Sequence, residues 1–265
     1  TNDLEWGGPA EGASIAEHGC ILRTVVGSQV HGLTNRGTDD RDEMAISIEP
    51  PENVIGLHPR FEHWSYRTQP EGQPSGPGDL DLIVYSLRRY CELALKGSPT
   101  VLLPLFAPPE HTLICTELGE DLRAQADLFL IASNARDSFL GYLEAQRRSL
   151  LDKRKSRNRE VSDEHGDDTK YAMHAVRVGY QGLELLQDGR ITLPVPEPQR
   201  SRLMAIRNGR ASLQSILEEL ASLISDLQVA PIRAMQPPAE LSLEQWVVDA
   251  YQRHWEENWI RPILE

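Results

Sequence analysis

Asp40 and Asp42 stand at i and i+2 in the run TDDRD (Thr38–Asp42), and the segment GSQVHG (Gly27–Gly32) lies just upstream. On a strand, residues i and i+2 project from the same face, so these two carboxylates offer their oxygens to one point. Convergent hard anionic ligands of this kind are what a pair of magnesium ions about 4 Å apart requires. A third carboxylate from a neighbouring strand completes such a set. Asp81, near the start of DLDLIVY (Asp79–Tyr85), is the natural candidate, and Asp79, two residues away on the same face, is its competitor. Gly27 and Ser28 supply the complementary half: a glycine lets the backbone approach closely, and a helix opening at this turn would aim N–H groups at phosphate oxygens. Metal binding and phosphate binding thus fall on adjacent elements. A run such as DDRDE is by itself more often a solvated acidic turn. The Gly-Ser turn before it and the alternating segment after it favour a site.

These side chains need strands to hold them. Cys20–Val26 (CILRTVV) is β-branched and short enough for a buried strand, and Met44–Ile48 alternates after the acidic turn as a second strand would. Asp79–Tyr85 reads as a third strand, with Ser86 capping a helix that runs through Lys96 and stops at Gly97. Ser98-Pro99 then starts another. Between Glu49 and Gly78 the chain is rich in Pro and Gly, ending in QPEGQPSGPG, and reads as a long loop or lid. Its Trp64, Tyr66 and Arg67 are either anchors or groups that stack on a base. From about Asp121 onward apolar residues recur at three- and four-residue spacing, predicting helices over Arg136–Lys155, Thr169–Gln187, Gln199–Asn208, Ser212–Leu227 and Ser242–Asn258. The expected class is α+β, a small mixed-sheet head over 13–117 followed by a helical unit over 118–265.

The 265 residues suffice for two modest cores, and 40% hydrophobic with 25% charged residues is ordinary for a folded soluble chain. A formal net charge of −13 repels polyanions at long range, which argues against a general nucleic-acid coat protein and means that any nucleic acid must be gripped locally. No stretch approaches the roughly 20 apolar residues of a membrane span, and Thr1–Gly12 is acidic and Gly-rich where a signal peptide is basic then apolar. A cytoplasmic protein with no membrane partner is the simplest expectation. Cys20, Cys91 and Cys115 are odd in number and lack CxxC spacing, so they read as reduced thiols.

Two basic groups stand out in this acidic chain. Lys170, His174 and Arg177 fall at i, i+4 and i+7 on one helix face, which suits a triphosphate or base pocket as well as a solvated surface. Lys153–Arg159 (KRKSRNR) is the densest basic run and reads as a helix end or as a grip on acceptor phosphates. Ser28 with His31 lacks the third member that nucleophilic catalysis would need.

The order Gly-Ser, then DxD, then a later-strand Asp resembles the DNA polymerase β-like nucleotidyltransferase superfamily. DLIVYSL from Asp81, LKGSPTVL from Leu95 and Leu105-Phe106 are similar to predicted nucleotidyltransferases related to the RNA-ligase-associated polymerase-β-like proteins, and KYAMHAVR (Lys170–Arg177) resembles that group's later helix. The likeness runs from Val25 to Leu186. It departs where the group reads Gly-Asn-Pro and this chain has Gly97-Ser98-Pro99, and where the group has Glu and this chain has Pro104. The resemblance implies an enzyme that moves a nucleoside monophosphate from a nucleoside triphosphate to an acceptor hydroxyl. Asp40, Asp42 and Asp81 would be its catalytic metal ligands, and Gly27, Ser28, Lys170, His174 and Arg177 would contact the nucleotide. Two Mg2+ ions, replaceable by Mn2+, would be its cofactor. An RNA 3′ end is the expected acceptor, with a protein hydroxyl or a non-catalytic nucleotide-binding module as alternatives.

Overall fold

The computed structural model describes Trp6 and residues 11–34, 40–70, 73, 75–156, 166–231 and 240–260. The elements run α1 (Glu11–His18), β1 (Cys20–Val25), β2 (Arg41–Ser47), α2 (Pro51–Val54), β3 (His63–Arg67), β4 (Leu80–Ser86), α3 (Leu87–Leu95), α4 (Leu103–Phe106), β5 (Thr112–Cys115), α5 (Glu117–Ala124), α6 (Ala126–Phe129), α7 (Ala132–Ser156), α8 (Gly166–Asp188), α9 (Gln199–Arg207), α10 (Leu213–Val229) and α11 (Glu240–Trp255). The five strands form one mixed sheet in the order β3-β4-β2-β1-β5, which makes the class α+β.

Strand direction decides what this sheet can position. β1 is antiparallel to β2, β2 is parallel to β4, and β4 is antiparallel to β3. The end of β1, the start of β2, the start of β4 and the end of β3 therefore share one end of the sheet. The register is specific: Asp42 lies beside Asp81, and Arg67 lies opposite Asp81. β1 is buried along its whole length, as is β2 from Glu43 to Ser47, which fits their β-branched and apolar content. Ile15, Ala16, Cys20, Ala45, Leu80, Leu82 and Val84 form one apolar cluster on this sheet.

Register at the centre is pinned by a buried charge pair. Arg23 Nε donates to Glu43 Oε2 at 2.5 Å, with neither side chain more than 1% exposed, and Arg41 also forms an ion pair with Glu43. The Arg23 guanidinium lies 4.4 Å from the Trp6 ring. A buried ion pair of this kind adds little net stability yet strongly penalises any slip that parts it. Sliding β2 past β1 would strand Glu43 and displace Asp42 with it.

The lid expected over Glu49–Gly78 contains structure. α2 and the edge strand β3 fall inside it, and Trp64 and Tyr66 point inward to pack on the apolar cluster, so they are core anchors rather than exposed stacking groups. The helix expected from Ser98-Pro99 begins later, at Leu103, after two turns. The other predicted strands and helices appear within a few residues of their expected limits, and Ser86 Oγ accepts from Arg89 N at the start of α3. The three cysteines are free thiols, with Cys20 and Cys91 buried and Cys115 half-buried. Among the described residues no helix is long and apolar enough to cross a membrane.

By contacts the chain forms two compact units, one of residues 1–94, 101–129 and 236–265, the other of residues 95–100 and 130–235. This division is not the single cut at 117 that the sequence suggested. α11 belongs with the sheet because Tyr251 Oη donates to Glu49 (2.9 Å) and accepts from Arg88 N (3.2 Å), while Trp255 Nε1 donates to the Glu49 carbonyl (2.9 Å). The second unit is built from α7 to α10, with Phe139, Leu143, Val176, Leu220 and Leu227 in its core.

Candidate active site

Asp40, Asp42 and Asp81 come together at the shared end of the sheet. Each places one carboxylate oxygen within 4.8 Å of the others, and all three are half-buried. The i, i+2 spacing brings Asp40 and Asp42 together, with Asp42 on β2 and Asp40 just before it. The parallel pairing of β2 with β4 brings in Asp81. Asp79 is engaged elsewhere: its Oδ2 accepts from Gly76 N (2.8 Å) and its Oδ1 from Thr68 Oγ1 (3.0 Å). The Gln69 side chain first, then hydrogen bonds from Gly76 and Thr68, hold its carboxyl below the usual range. It closes the β3–β4 loop, and Asp81 stands in the cluster. Asp39 lies outside the described residues.

Gly27 sits against this cluster. A Cβ on Gly27 would fall 2.0 Å from Asp42 Oδ2 and 2.7 Å from its Cβ and Cγ, so any larger residue would push the carboxylate aside. Residues 27–32 form consecutive turns, closed by Leu33 N to Ser28 O (3.0 Å) and Gly32 N to Gln29 O (3.0 Å), with Gly32 at φ 67°. The helix expected to open here is absent, because the backbone reverses before it can propagate. Ser28 Oγ is buried and has no hydrogen-bond partner. A buried hydroxyl left unpaired costs stability, and such groups collect where a ligand or water completes them.

Asp81 has two partners that its sequence neighbourhood does not announce. Arg67 Nε donates to its Oδ1 at 2.6 Å, Ser75 Oγ donates to its Oδ2 at 2.6 Å, and Arg67 Nη2 donates to Ser75 Oγ at 2.8 Å. A signal is present in HWSYR (His63–Arg67), whose alternation is that of an edge strand. The pairing that sets Arg67 opposite Asp81 is tertiary.

Lys170, His174 and Arg177 share a face of α8, in the second unit. Lys170 is exposed, His174 half-buried and Arg177 only 6% exposed, so this is not a uniformly solvated face. Arg177 donates to His174 Nδ1 (2.7 Å) and to Gln181 Oε1 (3.1 Å), and the Tyr142 ring lies 5.7 Å from that of His174. Burial lowers the Arg177 pKa to about 10, which leaves it charged at neutral pH. Burial first, then the charges of Arg177 and Lys170, push His174 from 6.5 to about 3. A lowered imidazole pKa means that, as pH falls below about 6.5, the unfolded chain takes a proton that the folded chain refuses. Stability then declines toward pH 3, by at most about 1.4 kcal/mol for each pH unit crossed. His174→Gln should blunt this acid sensitivity. Melting temperatures of parent and variant at pH 7, 5.5 and 4 check it, and parallel curves would contradict it. In the run Lys153–Arg159, the backbone of residues 153–156 continues α7, and the side chains lie outside the described residues.

A comparison with curated proteins finds no match. Among solved structures the chain is similar to a nucleotidyltransferase-like protein from Exiguobacterium sibiricum 255-15, at 11% identity and a TM-score of 0.32, over 89% of this chain and 74% of that one. The model of RlaP, the RNA repair pathway DNA polymerase beta family, matches residues 10–246. With nearly the whole chain matched, this protein belongs to the RNA repair pathway DNA polymerase beta family and is a polymerase β-like nucleotidyltransferase.

Proposed function

We propose that this protein transfers a nucleoside monophosphate from a nucleoside triphosphate to an RNA 3′ hydroxyl, with Asp40, Asp42 and Asp81 holding two magnesium ions. The observation that carries this reading is the convergence of three carboxylates within 4.8 Å against the Gly27-Ser28 turn. The donor set suits the ions: it is all oxygen and anionic, without the thiolate or imidazole that would favour zinc, and manganese shares the preference. When bound, the metal supplies Lewis acidity, lowering the pKa of the attacking hydroxyl and neutralising phosphate charge.

The chain's own residues do the rest. Gly27 clears the space that lets Asp42 face the cluster, and the Ser28 hydroxyl is a donor available to a phosphate oxygen. In the second unit, Lys170, His174 and Arg177 are by themselves a candidate nucleotide contact, in which a cationic Arg177 suits phosphate and a neutral His174 suits a base or ribose hydroxyl. RNA is the favoured acceptor because the family is described by an RNA repair pathway. A net charge of −13 then requires a local grip on the strand, for which Lys153–Arg159 is the assigned patch.

Linkage tests the nucleotide and metal halves together. A ligand that binds only the folded chain stabilises it by RT ln(1 + [L]/Kd), about 2.7 kcal/mol at a hundredfold excess over Kd. A ribonucleoside triphosphate with Mg2+ should raise the melting temperature, and EDTA should remove most of the rise. No shift with any triphosphate would refute the reading, and an equal shift in EDTA would move the pocket away from the carboxylates.

A further inference from the structure

Both oxygens of Asp81 are engaged in this structure, one by Arg67 and one by Ser75. The arrangement follows from the fold. Directly opposed residues of an antiparallel pair project from the same face, and the register sets Arg67 opposite Asp81 at the end of the edge strand. The guanidinium sits in a field of carboxylates, and hydrogen bonding and charge from Asp81, then the charges of Asp40 and Asp79, raise its pKa. Its positive charge rests on an oxygen of the same group that would ligate a cation.

Two positive charges cannot share that carboxylate cheaply. The Arg67–Asp81 pair is 41% and 26% exposed, and exposed pairs are weak, so the arginine is the partner that yields. Once released it stays tethered by β3 beside the site, a planar cation with five donors and no carboxylate. Polyphosphate oxygens match it in charge and in bidentate geometry. Arg41, the other arginine at this end of the sheet among the described residues, is tied to buried Glu43. Glu43 would lose a partner inside the protein if Arg41 left, so Arg67 is the movable cation.

We propose that Arg67 is an exchangeable counterion of the active site, which neutralises Asp81 until a divalent cation takes that carboxylate and then binds the phosphates of the incoming triphosphate. The proposal rests on the reading of the triad given above. It makes Arg67 a substrate-binding residue whose effects on metal and on nucleotide have opposite signs.

Calorimetric titration of parent, Arg67→Ala and Arg67→Lys separates these effects. Mn2+ alone is the first probe, and the α,β-methylene analogues of the four ribonucleoside triphosphates in saturating Mn2+ are the second. Arg67→Ala should bind Mn2+ up to about fivefold more tightly, because its competitor is gone, and the preferred analogue about tenfold more weakly. Arg67→Lys keeps the charge but not the fork, so it should bind Mn2+ like the parent and the analogue with intermediate affinity. It also serves if the alanine variant is poorly folded by circular dichroism. Parallel weakening of both ligands would show that Arg67 merely props up the site and would overturn the proposal. So would unchanged analogue affinity, which would make Arg67 a clip for the β3–β4 loop. If the parent took up no Mn2+, the metal reading of the triad would fall first and this inference with it.

Discussion

Asp42→Asn should lower nucleotidyl transfer at least about a thousandfold, equivalent to about 4 kcal/mol of transition-state stabilisation, while the protein stays folded. The substitution keeps the shape of the side chain and one oxygen, so packing around Gly27 is preserved. What it removes is an anionic ligand from a set of three within 4.8 Å. Three crowded carboxylates also repel one another, so in EDTA the variant should melt no lower than the parent. Turnover measured beside melting in EDTA checks both halves. Near-parental turnover would exclude Asp42 from the site, and a large drop in melting temperature would make the loss of activity a folding effect.

Gly27→Ala should lower turnover about a hundredfold although it removes no functional group. The new Cβ would meet Asp42 Oδ2 at 2.0 Å, and a short carboxylate side chain has no flexible end with which to yield. The carboxylate or the β1 turn must shift by on the order of 1 Å, and a misplacement of that size costs about a hundredfold in rate. Mn2+ affinity should fall with the rate, since the displaced group is a ligand. Gly141→Ala is the control: nothing lies within 4 Å of its Cβ on α7, and replacing a helical glycine gains about 0.5 to 1 kcal/mol. Rate and Mn2+ affinity in the two variants decide the matter. An active Gly27→Ala would mean that close approach to Asp42 is not needed.

Much of this arrangement is written locally in the chain. The i, i+2 spacing of Asp40 and Asp42, the alternation of DLDLIVY and the three- and four-residue periodicity of the later helices each reflect geometry within one element. What escaped depends on geometry between elements. β3 has only two inward side chains, Trp64 and Tyr66, flanked by Pro and Gly, so its pattern is too short to stand out from a loop. The choice of Asp81 over Asp79 is open in sequence because both share a face, and what separates them is position: an Asp81 oxygen lies within 4.8 Å of Asp40 and Asp42, while Asp79 closes on Thr68 and Gly76. The turn after Gly27 uses the same residues that would open a helix, and only the chain's reversal toward Leu33 distinguishes the two. α11 joins the sheet through a hydrogen bond between Tyr251 and Glu49, residues 202 positions apart, which no local pattern announces.

The fate of the α-phosphorus decides whether the three carboxylates do this chemistry. Parent protein and Asp42→Asn are incubated with each α-labelled ribonucleoside triphosphate, Mg2+ and a short RNA bearing a free 3′ hydroxyl, and the RNA is resolved at single-nucleotide length. With at least one triphosphate, the parent should yield a labelled RNA one or more nucleotides longer, and EDTA or Asp42→Asn should abolish it. RNA left unlabelled by the parent with all four triphosphates, or extended at the parental rate by Asp42→Asn, would contradict this role of the carboxylates.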